Sequence, residues 1–252
     1  MRRPPRPAMR AVKRIRTLAV ATLVLVLAGG WLIAREGSVQ RQPVGLFTSL
    51  PILWNEATDV AGLLKSDAPP HWAKAALAER GDIVALDRLD AVSIDGLGRL
   101  AIAQPRPLSP DENVALDDWV KRGGKLLLLA DPALTAESAF SLADPRRPQA
   151  VAMLSPILHR WGLVLEFDEA QTFGEHSVKV MDVAVPVNLP GRFVLTGASN
   201  CRSWGAGLAV SCAVGNGRVI ALADAALLDQ EDPDGRRRNA LDWLLTATFA
   251  GR

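Results

Sequence analysis

Residues 109–132 read SPDENVALDDWVKRGGKLLLLADP, and this stretch decides the fold. Ser109 with Glu112 three residues on makes a capping box, Pro110 takes the first helical position, and Asp111 and Glu112 put two acids in the first turn. Val114, Leu116, Trp119 and Val120 supply the apolar residues of a helix. Lys121 and Arg122 occupy its last turn, where cations suit the helix dipole, and Gly123-Gly124 ends it. The run 125–130, KLLLLA, is apolar without alternation, as in a strand covered on both faces, and it stops at Asp131-Pro132.

The same alternation extends outward. Upstream, strands are expected at 44–48, 82–86 and 99–103, with a helix at 72–80 closed by Gly81. Downstream, a helix at 151–161 ends at Gly162 before a strand at 163–167, and a strand at 218–223 ends in Asp224 before a closing helix at 239–250. The region 176–214 is β-rich, with VKVMDVAV, RFVLTG and LAVSCAV separated by Pro and Gly. This order predicts an α/β fold with a mostly parallel, doubly wound sheet and a late β-hairpin insertion.

Charge divides the 252 residues unevenly. Residues 1–16 hold seven basic side chains and no acid, which leaves 22 basic against 27 acidic groups in the rest. Residues 17–34 carry no charge and reach roughly 27 Å as a helix, about the apolar thickness of a bilayer. The expected layout is therefore a basic cytoplasmic head at 1–16, a transmembrane anchor at 17–34, a linker at 35–43 and a periplasmic α/β domain at 44–252. A cleaved signal peptide, with Ala28-Gly29-Gly30 as its small-residue site, is the rival reading; both put the body outside the cytoplasm. Because the basic cluster lies outside the folded part, nucleic acid is excluded as a simple basic-patch partner.

In an open α/β sheet, ligands sit beyond the carboxyl ends of the strands. The candidates there are Thr48 and Ser49, Gln104 and Arg106, Asp131, and Asp224. Two carboxylates at neighbouring strand ends suit a hard cation, but Asp-Pro also starts turns and Asp caps helices, and no third ligand stands at motif spacing. No nucleophile elbow is present, and His71, His159 and His176 have no evident catalytic partner. The sequence gives no catalytic residue, metal ligand set or cofactor motif. Gly215-Asn216-Gly217 reads as a hairpin turn, and the acidic run 229–235 as a solvated loop ahead of Arg236–Arg238. Cys201 and Cys212 flank a Gly-rich turn; if their segments pair as antiparallel neighbours, the two are within bonding reach, and outside the cytoplasm such a pair oxidises.

The run 104–110 (QPRPLSP), then ALDDWV at 115–120 and GGKLLLLADP at 123–132, resembles the extracytoplasmic domains of uncharacterised bacterial ABC-transport-associated proteins, relatives of the gliding-motility auxiliary component. GNGRVIALAD at 215–224, with Asn239 in the final helix, resembles the same domains. The resemblance implies a flavodoxin-like fold similar to class I glutamine amidotransferases. It implies no such activity, since Ala130-Asp131-Pro132 stands where the nucleophilic Cys would be. It further implies ABC transporter permease and ATPase subunits as partners, the ATPase being separate because no Walker A motif is present. The leading expectation is thus a membrane-anchored, non-enzymatic periplasmic component of an ABC-type transport system, binding a partner or solute at the strand ends. The alternative is an extracytoplasmic metal-dependent hydrolase using the strand-end carboxylates.

Overall fold

The computed structural model describes residues 42–54, 56, 70–197, 199–229 and 231–250. The chain divides into two units, Met1–Arg41 and Gln42–Arg252. The basic head, the expected membrane helix at 17–34 and most of the linker lie outside the described residues. Among the described residues, no helix is long and apolar enough to cross a membrane.

The second unit is built on a seven-stranded sheet in the order β2-β1-β3-β4-β11-β10-β9. β1 (Val44–Thr48), β2 (Ile83–Ala85), β3 (Arg99–Ala103), β4 (Lys125–Leu129) and β11 (Gly217–Leu222) run parallel. β10 (Ala209–Val214) and β9 (Cys201–Trp204) complete one side antiparallel. Helix α1 (Trp72–Ala78) joins β1 to β2, and α2 (Pro110–Lys121) joins β3 to β4. These two crossovers run in opposite directions across the sheet, so right-handed connections put the helices on opposite faces. α3 (Ser155–Arg160) packs on α2, while α4 (Arg236–Phe249) packs on α1, β4 and β11. Covered on both sides, Leu126 to Leu129 are fully buried, as their unbroken apolar run requires.

The capping box forms: Ser109 Oγ accepts the Glu112 N–H at 3.2 Å, and Glu112 Oε2 accepts the Ser109 N–H at 2.9 Å. Asp117, buried on α2, ties that helix to α3 by accepting from Trp161 Nε1 at 3.1 Å and Arg160 Nε at 2.9 Å. The β10–β11 hairpin rests on the end of α2, where Asn216 N–H donates to Lys121 O at 2.9 Å. A Cβ on Gly217 would stand 1.9 Å from Val120 O, so only glycine allows this approach.

The expected fold class is corrected here. The sheet is mixed, because β10 and β9 extend it antiparallel instead of forming a separate insertion. The remaining late strands leave it altogether, as two ribbons: β5 (Leu163–Glu166) with β8 (Arg192–Leu195), and β6 (His176–Val180) with β7 (Val183–Val187). A single late hairpin on a flavodoxin-like or amidotransferase-like sheet is not the described architecture, while the expected membrane helix lies outside the described residues. Alternating apolar residues mark strands, but they do not say which strand is the partner. Cys201 and Cys212 are opposite each other on β9 and β10 and form a disulfide.

Candidate functional site

All five parallel strands end on one rim, and the sequence candidates lie along it. Leu129 pairs with Leu222, so Asp131 and Asp224, each two residues further on, leave neighbouring strands at one level. Both are fully buried, as is Gln104 after β3. Gln104 takes a left-handed backbone (φ 43°), rare for a side-chain-bearing residue, and its amide closes the rim. It donates to Asp131 O at 3.1 Å and Gln149 O at 2.7 Å, and its Oε1 accepts the Asp131 N–H at 2.9 Å. Ser49 Oγ donates to Gln104 O at 2.5 Å and accepts the Gln149 N–H at 3.0 Å.

The carboxyls are engaged in the same way. Asp131 accepts the N–H groups of Ala133 at 2.7 Å and Ala225 at 3.0 Å. Asp224 accepts those of Ala226 at 2.7 Å and Asn188 at 3.0 Å. Burial pushes the Asp131 carboxyl up to about 6. Burial, and then the charge of Asp131, raise Asp224 well above the usual carboxylate range. Thr48 Oγ1 accepts the Leu50 N–H at 2.9 Å. Arg106 stands apart: its guanidinium grips Glu112 at 2.7 and 2.9 Å and lies 5.0 Å over the Phe47 ring. The structure therefore brings Ser49, Gln104, Asp131 and Asp224 into one buried network and leaves Thr48 and Arg106 outside it. Every oxygen of the two aspartates accepts a backbone N–H, and among the described residues no group of three or more His, Cys, Asp or Glu is placed to hold a metal ion.

Open space lies beyond this network, in a cleft of about 1450 Å³ walled by the loops that follow β1, β4, β5 and β11 and by the end of β7. Three aromatic rings line it: Trp54, Trp72 and Phe173. Phe173 is 70% exposed and Trp54 39%, with the Trp54 ring 5.8 Å from that of Phe140. Trp72 is pinned, its Nε1 donating to Asp229 O at 2.9 Å. His71 beside it accepts the Ala73 N–H at Nδ1, so Nε2 carries the proton and donates to Leu228 O at 3.1 Å. Burial lowers the His71 pKa, which keeps the ring neutral. The exposed carboxylates Glu137 and Glu231 also line the cleft.

Arg237 and Glu175 form an ion pair at the mouth, and Asp232 caps α4 by accepting the N–H groups of Arg237 at 3.0 Å and Arg238 at 2.9 Å. The acidic run at 229–235 is thus partly a helix cap. Sequence reasoning missed Trp54, Phe173, Glu137 and Glu231. Their signal was aromatic and acidic side chains within the loops that follow β1, β4, β5 and β11.

No family model and no curated protein matches the sequence. Among solved structures, an exo-β-1,4-mannosidase from Opitutaceae bacterium strain TAV5 is similar at 16% identity and a TM-score of 0.50, over 90% of this chain and 39% of that one. A β-galactosidase from Bacillus circulans sp. alkalophilus is similar at 10% identity and a TM-score of 0.47, over 82% of this chain and 31% of that one. A cytoplasmic protein of Salmonella typhimurium LT2 has 13% identity and a TM-score of 0.48, over 82% of this chain and 99% of that one. The chain thus spans about two-fifths of the mannosidase it matches. The mannosidase likeness concerns architecture alone, and that architecture occurs in a hydrolase chain. It replaces the expected amidotransferase-like sheet, and it lends the expected non-enzymatic transport component no support.

Proposed function

We propose that the domain is an extracytoplasmic, glycan-acting hydrolase whose substrate lies in the cleft beyond the strand ends. The carrying observation is the cleft itself, where the rings of Trp54, Trp72 and Phe173 stand with the carboxylates Glu137 and Glu231. A pyranose offers an apolar C–H face to an aromatic ring and hydroxyls to carboxylates, so this lining suits a sugar chain. Glycosidic bonds are cleaved by a pair of carboxyl groups, one as acid and one as base or nucleophile. Of the exposed acids that line the cleft, Glu175 and Asp234 are held by Arg237 and Arg236, which leaves Glu137 and Glu231, supplied by the loops after the adjacent strands β4 and β11. The fold shared with a mannosidase supports the same reading, and the disulfide supports an oxidising compartment. Asp131 and Asp224, whose oxygens all accept backbone N–H groups, are not the reacting pair in this reading.

The test is the full chain incubated with aryl mannosides, aryl galactosides and the corresponding oligosaccharides, with and without EDTA. Hydrolysis is expected to survive EDTA and to fall by about 100-fold or more in Glu137→Gln and in Glu231→Gln. Trp54→Ala should raise KM more than it lowers kcat. A folded wild-type chain that turns over none of these glycosides sinks the reading.

A further inference from the structure

Asp131 and Asp224 take no part in the chemistry proposed above, yet they sit directly behind the cleft wall. Asp131 reaches across to the chain after β11 by accepting the Ala225 N–H at 3.0 Å. Asp224 holds the short 3₁₀ turn Ala226–Leu228 through the Ala226 N–H at 2.7 Å, and holds Asn188, a cleft residue, through its N–H at 3.0 Å. That turn in turn presents Leu228 O to His71 Nε2 and is followed by Asp229 O, which accepts from Trp72 Nε1. A continuous path of hydrogen bonds therefore joins the two carboxyls to one aromatic wall of the cleft.

We propose that Asp131 and Asp224 are a positioning pair in which a proton retained on the buried pair latches the turn after β11 against His71 and Trp72, and loss of that proton releases the wall. Two fully buried carboxyls on neighbouring strands cannot both be charged without water. Water reaches them when the turn lifts away. The groups packed around the pair give no compensating cation. Ser49, Gln104, Gln149 and Asn188 do not titrate, and the turn brings only Ala226, Leu227 and Leu228. Arg106 is taken by Glu112, Arg237 lies with Glu175 and Asp229, and burial disfavours the charged form of His71.

The sign follows from the raised pKa values. Burial raises Asp131 to about 6 and raises Asp224 well above the solvated value of 3.8, so the latch is fully closed below about pH 4 and weakens as pH rises through the folded values.

The latch does not depend on what the cleft binds, while its bearing on catalysis rests on the glycan reading. Amide hydrogen exchange on the full chain, without substrate, separates the two. Rates are followed from pH 5 to pH 8 and corrected for intrinsic exchange. Wild-type protection across 186–189 and 224–229 is expected to fall by about tenfold over that range, while β4 stays protected. Asp224→Asn should flatten this dependence, and Asp131→Asn carries the test if the first variant does not fold. A flat wild-type profile, an unchanged slope in the Asn variants, or equal loss of protection in β4 overturns the proposal. Missing turnover with the exchange pattern intact defeats only the glycan assignment.

Discussion

Glu112 begins as a helix signal and ends as the anchor of the neighbouring loop. Its carboxylate accepts the Ser109 N–H, the Leu89 N–H at 3.1 Å, and both arms of Arg106. Arg106 first, and then those backbone donors, hold its pKa down to about 2 against burial. A depressed folded value contributes stability above the unfolded value of 4.5, and that contribution is lost as pH falls toward 2. Because Arg106 is 41% exposed, its share is screened. Glu112→Gln is therefore expected to cost about 1–2 kcal/mol at pH 7, with the gap to wild type closing between pH 5 and pH 3 in urea titrations. The pair was not legible beforehand. Arg106 follows a strand and so reads as a ligand group, and nothing local announces the left-handed backbone of Gln104 two residues earlier, which redirects the chain. Sequence reports side chains at strand ends readily; it does not report which backbone N–H groups will claim them.

Among the elements, α2 was the most legible because every cue agreed: capping box, proline in the first turn, acids before and cations after. The helix expected at 151–161 is shorter, Ser155–Arg160, since Pro156 fixes its first turn and the residues before it serve the rim, with Ala152 N–H donating to Asp131 O at 2.8 Å. The β-rich stretch was legible as strands but not as pairings. β5 and β8 find each other across the β6–β7 ribbon, a long-range choice that alternation leaves open. The β10–β11 hairpin depends on glycine at its contact with α2. Gly217→Ala would place a methyl group against Val120 O and is expected to lower stability by about 2 kcal/mol or more, read as a fall in the thermal midpoint. An unchanged midpoint would mean that the hairpin can lift off the helix at little cost.

For the molecule as a whole, the disulfide secures the antiparallel border of the sheet. Cys201 and Cys212 face each other across β9 and β10, and among the described residues β9 has no further neighbour. Replacing both by Ser is expected to cost about 2–3 kcal/mol in denaturant titrations, and reduction of the wild-type chain should reproduce that loss. A double variant as stable as the oxidised chain would show that β9 is held by its ladder alone.

The position of β11 has a consequence for assembly. Lys125 on β4 pairs with Arg218 on β11, and everything between, including both ribbons, is an excursion from the middle of the sheet. A chain emerging from the ribosome can pair β1, β2, β3 and β4 early. It must then hold the apolar flank of β4 uncovered until residues 217–249 arrive to close it. The nascent domain is thus most exposed to misassociation along its own centre line, and its last segment completes the core.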